Sequence, residues 1–164
     1  MMLVGRGLCA GRFLAAAGVL IVLLSGCSAP PGEEPPEAPT SVDPDSYASE
    51  LVELTNETRA EEGLEELQAS PCAREAALER ATALKGEEKL VHAPLTPVID
   101  ACEPLTTAAE NLVNSAAVPM DVVEAWLGSP GHRANIVDPD LTETGIGCVP
   151  DGQKMLCSQI FLGP

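Results

Sequence analysis

The sequence predicts a single α+β domain, with helices around a small antiparallel sheet. Three observations lead there. Apolar residues recur at helical spacing in several stretches, and two strand-like runs flank the turn P-D-G-Q near the C-terminus. Behind a Pro/Glu-rich segment, roughly 120 residues remain, enough for one domain with one core that buries about two-thirds of its unfolded surface.

The first residues give the address. Arg6 and Arg12 precede an apolar run from Phe13 to Leu24, too short to span a bilayer comfortably and placed where a signal-peptide core belongs. The run ends in L-S-G-C. A small-residue pair just before a cysteine is how lipoprotein signals end, so residues 1–26 are expected to be removed and Cys27 to carry a diacylglyceryl thioether. Ordinary cleavage nearby, with Cys27 incidental, is the alternative. The expected location is therefore the extracytoplasmic face of the cell membrane, with the lipid as the membrane contact. From Ser28 to about Pro44 the chain is Pro, Glu, Ala and Ser, an extended and self-repelling tether. The expected organisation is signal peptide over 1–26, lipidated cysteine and tether over 27–45, and domain over 46–164.

Tyr47, Leu51, Val52 and Leu54 predict a first helix over about 46–62, closed at Gly63. A second begins at Ser70-Pro71, with Ala73, Ala77, Ala81 and Leu84 on one face. From Lys85 to Thr107 scattered Gly and Pro predict a long irregular connection with one helical turn. Met120–Leu127 reads as a third substantial helix and Pro130–Ile136 as a short fourth, which Ser129 can cap. The runs T-G-I-G-C-V and M-L-C-S-Q-I-F then form a terminal hairpin.

Removing the leader takes two of the nine basic residues and none of the 25 acidic ones, so the mature net charge is −18 instead of −16. Such a surface repels nucleic acid and anionic headgroups. Only Tyr47, Trp126 and Phe161 remain as aromatics, which excludes a stacking platform for bases. The acidic excess reads as a solvated face, with salt adaptation as an alternative.

Four cysteines remain in the exported domain, and in an oxidising compartment they predict two disulfides. Cys148 and Cys157 flank the hairpin turn and can face each other across it, which leaves Cys72 with Cys102. In the chain-entropy picture the longer loop contributes roughly 3.6 kcal/mol and the shorter about 2.6 kcal/mol. A zinc site built from the four is the alternative, against which stands the absence of any C-x-x-C pair.

The chain holds two histidines, 40 positions apart. His132 lies in the first turn of the short fourth helix, where the positive dipole end disfavours imidazolium and leaves a ring able to bind a metal or accept a proton.

Several blocks occur in an order that resembles one family. They are N-x-x-R-A-x-x-G-L from Asn56, P-C-A-R-E-A-A from Pro71, Leu90-Val91-His92, Glu110-Asn111-Leu112, Trp126 with S-P-G-H-R-A-N-I, T-G-I-G from Thr144, and Gln159-Ile160-Phe161. Together they resemble the CAP superfamily (cysteine-rich secretory proteins, antigen 5 and pathogenesis-related-1) in its bacterial SCP-domain branch, across the whole chain after the tether. The resemblance implies an α-β-α sandwich whose cleft carries two histidines and two glutamates, a set that binds zinc or another divalent ion in some members. His92, Glu110 and His132 match three of the four. The second glutamate's place is taken by Ser129, and Glu124 does not replace it, since five residues on a continuing helix turn the side chain by about 140°.

His92, Glu110 and His132 are accordingly expected to share one cleft and to hold a divalent cation, zinc or another, weakly. No catalytic residue is assigned, and Ser129 reads as a cap in preference to a nucleophile. Trp126 is expected in the core, Asn111 and Gln159 as backbone braces, and Asn56 with Arg59 as an ordering pair on the first helix. The functional expectation is a membrane-anchored, non-enzymatic module for an unknown lipid, small-molecule or protein ligand. The alternative is a metal-assisted hydrolase of envelope material, weakened by the missing carboxylate, the natural general base.

Overall fold

The computed structural model of the protein describes residues 42–164. The expected signal peptide, the lipidation at Cys27 and nearly all of the tether lie outside the described residues. Among the described residues no helix is long and apolar enough to cross a membrane.

Helix α1 (Pro44–Glu61) starts two residues earlier than the apolar spacing predicts, because Asp43 is its N-cap and Pro44 its first residue. The Asp43 carboxylate accepts from the Ser46 amide at 2.9 Å and the Ser46 hydroxyl at 2.8 Å. Gly63, at φ 75°, then ends the helix as expected, and the Leu64 amide returns to the Arg59 carbonyl at 2.9 Å. Tyr47, Leu51, Thr55 and Arg59 form its buried stripe at four-residue spacing.

The two-residue strand β1 (Gln68–Ala69) leads into α2 (Pro71–Leu84), capped by Ser70. The expected irregular connection follows, with its helical turn at α3 (Thr96–Ala101). Strand β2 (Thr107–Ser115) comes next, in a stretch to which the sequence pattern assigned no strand. Its T-A-A-E-N-L-V-N-S composition is poor in β-formers, and pairing with a central strand overrides that propensity. Helices α4 (Pro119–Leu127) and α5 (Pro130–Ile136) precede the hairpin of β3 (Glu143–Asp151) and β4 (Lys154–Gly163).

The sheet order is β1-β3-β4-β2. β4 pairs antiparallel with β3 on one side and along all nine residues of β2 on the other. The sheet is mixed at one edge, where β1 runs parallel to β3. Nine consecutive residues of β4, Met155 to Gly163, are buried, as befits a strand covered on both faces.

Each face carries its own core. On one, Tyr47, Leu51, Val122, Trp126 and Ile136 from α1, α4 and α5 pack against Ile146 and Phe161. On the other, Ala73 and Ala77 of α2 and Val98 of α3 pack against Ile160 and Leu162. The α-β-α sandwich is therefore present. Its α2 layer lies unusually close to the sheet: a Cβ at Gly145 would meet the backbone of Ala73 and Arg74, and one at Gly147 that of Ala77 and Leu78. Alanines facing glycines explain why T-G-I-G needs its two small residues.

Both disulfides have the expected partners. Cys148 and Cys157 are direct register partners with Cα atoms 4.2 Å apart, and Cys72 of α2 reaches Cys102 at 5.8 Å beside α3.

Candidate functional site: a buried carboxylate between α2, β2 and the His92 loop

Strand alternation turns Glu110 of β2 toward α2, and Asn111 toward α5. The Glu110 side chain is only 2% exposed, and its two oxygens accept four hydrogen bonds. Arg80 of α2 grips it as a fork, Nε to Oε1 at 2.6 Å and Nη2 to Oε2 at 2.9 Å. The Ser158 hydroxyl of β4 donates to Oε1 at 2.8 Å, and His92 Nδ1 meets Oε2 at 2.7 Å. Burial pushes the Glu110 carboxyl up, but hydrogen bonds from Arg80, His92 and Ser158, with the Arg80 charge, outweigh it and hold the group below the ordinary carboxylate value. An ionised carboxylate only accepts, so His92 donates to it from a protonated Nδ1.

Arg80 also binds the loop that carries His92. Its Nη2 donates to the Ala93 carbonyl at 2.8 Å and its Nη1 reaches the Pro94 carbonyl at 3.4 Å. One side chain thus joins α2, β2 and the loop. Sequence reasoning missed Arg80, because an arginine on an alanine-rich helix gives no local sign of what it faces.

The His132 ring makes no hydrogen bond to this network among the described residues. Its ring is partly buried against Trp126, with centroids 6.5 Å apart and planes tilted by 55°. Burial first, and the His92 charge second, lower its pKa, so the neutral ring expected from its helical position is favoured. The α5 backbone is anchored to β2 beside it: Asn111 Nδ2 donates to the His132 carbonyl at 3.3 Å, and Asn135 Nδ2 donates to Asn111 Oδ1 at 2.9 Å and the Glu110 carbonyl at 3.2 Å.

The expected triad is drawn together only in part. His92 and Glu110 touch, whereas among the described residues no group of three or more His, Cys, Asp or Glu side chains is placed to hold a metal ion. The carboxylate as arranged offers a metal no free position, because all of its roughly four acceptor positions are already occupied.

Ser129 stands at the N-cap of α5, but its hydroxyl makes no capping bond there; its carbonyl accepts from Arg133 at 2.8 Å. Trp126 is a core residue, its indole donating to the Leu112 carbonyl at 3.3 Å. Gln159 braces α1 through the Thr55 hydroxyl at 3.1 Å instead of through backbone. Asn56 brackets Leu67 with bonds of 2.9 and 3.1 Å. Arg59, 2% exposed, donates to the carbonyls of Glu65, Ile136, Asp138 and Leu141.

Residues 52–161 match the Cysteine-rich secretory protein family, CAP. The chain belongs to this family. A relative of this CAP domain, described only as the uncharacterized protein YkwD of Bacillus subtilis, is 33% identical over 132 residues, covering 77% of this chain and 50% of that protein. The chain therefore spans half the length of that relative. Among solved structures, an outer surface protein of Borrelia burgdorferi aligns with TM-score 0.68 at 20% identity, over 74% of this chain and 96% of that one. An extracellular SCP-domain protein of Bacillus anthracis aligns with TM-score 0.64 at 22% identity, over 78% and 45%. At such identities these structures establish the fold alone.

Among the described residues of the CAP domain, two hollows open beside α2. An open groove of about 830 Å³ lies between α1 and α2 above Thr144–Ile146, with Val52, Leu78 and Ile146 among its apolar lining and the Asp45–Arg74 ion pair among its charged residues. A smaller one of about 500 Å³ lies between α2 and α3, with Arg80 in its wall.

Proposed function

We propose that this CAP domain is a non-enzymatic ligand-binding or interaction module, held at the extracytoplasmic face of the cell membrane by lipid on Cys27. The observation that carries the reading is the bonding of Glu110. In a metal-assisted hydrolase of this cleft the carboxylate would serve as metal ligand or general base, and Glu110 spends its acceptor positions on Arg80, Ser158 and His92. Ser129, in the place of a second carboxylate, offers no substitute base at pH 7. The partly apolar groove between α1 and α2 offers a surface for a lipid, small-molecule or protein ligand. Two disulfides support the extracytoplasmic side, and the L-S-G-C junction supports the anchor.

The full chain and Cys27→Ser, made in a bacterial host, are partitioned between detergent and water, and the purified domain is incubated with envelope material. The expected result is detergent partitioning of wild type alone, with no release of soluble fragments. Equal partitioning of both proteins into water refutes the anchor. Fragment release that disappears in Glu110→Gln refutes the non-enzymatic reading.

A further inference from the structure

We infer that Arg80 is this chain's built-in replacement for a cleft metal: its guanidinium supplies the positive charge and the cross-links that a divalent cation would supply through Glu110 and His92. The inference concerns the internal organisation of the cleft and does not depend on which ligand the domain takes.

A cation bound between these two side chains would do three things. It would neutralise the buried carboxylate, tie the His92 loop to β2, and fix the loop against α2. Arg80 does each of them. It forms the two-point pair with Glu110, at 13% exposure for its own side chain against 2% for the carboxylate. It also holds the loop by the carbonyls of Ala93 and Pro94, directly after His92. His92 itself is then oriented by Glu110 without any metal bond.

Electrostatics excludes a cation while Arg80 stays in place. A divalent ion added here would set three positive charges against the single negative charge of Glu110, whose carboxylate and guanidinium partner are largely shielded from water although His92 is half-exposed. Ser129 supplies no further anion. To coordinate, Glu110 would also have to give up hydrogen bonds to Arg80 and leave the guanidinium partly buried and unpaired. Once the guanidinium is removed, the balance reverses. Glu110 becomes a buried anion without a counter-ion, next to an imidazole.

Zinc binding to the intact soluble domain tests this, read by histidine NMR resonances and by melting temperature, with His92→Ala marking binding at this site against binding at the acidic surface. Wild type is expected to keep its His92 resonances and melting temperature in excess zinc. Arg80→Met is expected to melt lower without zinc, to regain several degrees with it, and to bind it at least about tenfold more tightly than wild type. That gain is expected to vanish in Arg80→Met/His92→Ala. If Arg80→Met does not fold, Arg80→Gln, which keeps two amide donors, carries the same comparison. Zinc binding by wild type that is lost in His92→Ala overturns the inference, and so does a folded Arg80 variant that gains no zinc response.

Discussion

Arg80 and Glu110 meet through two parallel hydrogen bonds of 2.6 and 2.9 Å, from a helix on one layer to a strand of the next. Breaking one side of such a pair leaves an uncompensated charge in a mostly dry site, which costs about 3–5 kcal/mol. Arg80→Met is therefore expected to lose that much in urea denaturation. Arg80→Met/Glu110→Leu should lose less, since both charges leave together. A single mutant within about 1 kcal/mol of wild type would mean that the pair is solvated in solution.

Acid should weaken the fold in two stages. His132 has a folded pKa below 6.5, set by burial and then by the His92 charge, so folding favours its neutral ring. Its contribution is complete above 6.5 and is lost as pH falls through the folded value. Glu110, lowered from 4.5, contributes fully above that pH, and its share is lost as pH falls further through its own folded value. Denaturation midpoints at pH 8, 6, 5 and 4 should fall monotonically. His132→Phe should flatten the first stage and leave the second. A midpoint that rises between pH 8 and pH 5 contradicts the His132 assignment.

The contact of α2 with β3 depends on missing side chains. A methyl group at Gly147 would collide with the backbone of Ala77 and Leu78, and α2 cannot retreat without opening the core of Ala73, Ala77, Ile160 and Leu162. Gly147→Ala is expected to cost about 1–3 kcal/mol, with Gly147→Val costing more. Thermal melts decide it, with Gly131→Ala, where a Cβ meets nothing within 4 Å, as the control. Equal melting temperatures for the position 147 and 131 variants would be inconsistent with this packing.

The two disulfides close loops with sequence separations of 30 and 9. Replacing Cys72 and Cys102 by Ala should lower stability by roughly 3.6 kcal/mol, and the Cys148/Cys157 replacement by about 2.6 kcal/mol. Peptide mapping without reduction checks the pairing, and denaturation of the two double variants checks the order. A larger loss from the hairpin pair would show that local strand geometry outweighs loop entropy here.

Much of the fold was legible in the sequence because its signals are local. The stripe of Tyr47, Leu51 and later residues, the Ser70-Pro71 start of α2, the closing Gly63 and the hairpin around Gly152 all act within a few residues of themselves. The hairpin register in turn placed Cys148 opposite Cys157. Strand β2 and the α5 cap were not legible in this way. β2 has weak β-propensity of its own and is a strand because β4 offers nine partners, while Ser129 stands at the cap position without a side-chain capping bond.

The sequence by itself determined the helices, the terminal hairpin, both cysteine pairs and the three residues to inspect, since periodicity, turn chemistry and motif order are written in neighbouring positions. Only the tertiary structure decided what Glu110 does. Arg80 lies 30 residues before it and Ser158 48 after it, and the hydrogen bonds that saturate the carboxylate exist only when α2, β2 and β4 stack. A buried charge takes its partner from whatever the layers bring within 3 Å, and sequence spacing carries no record of that choice.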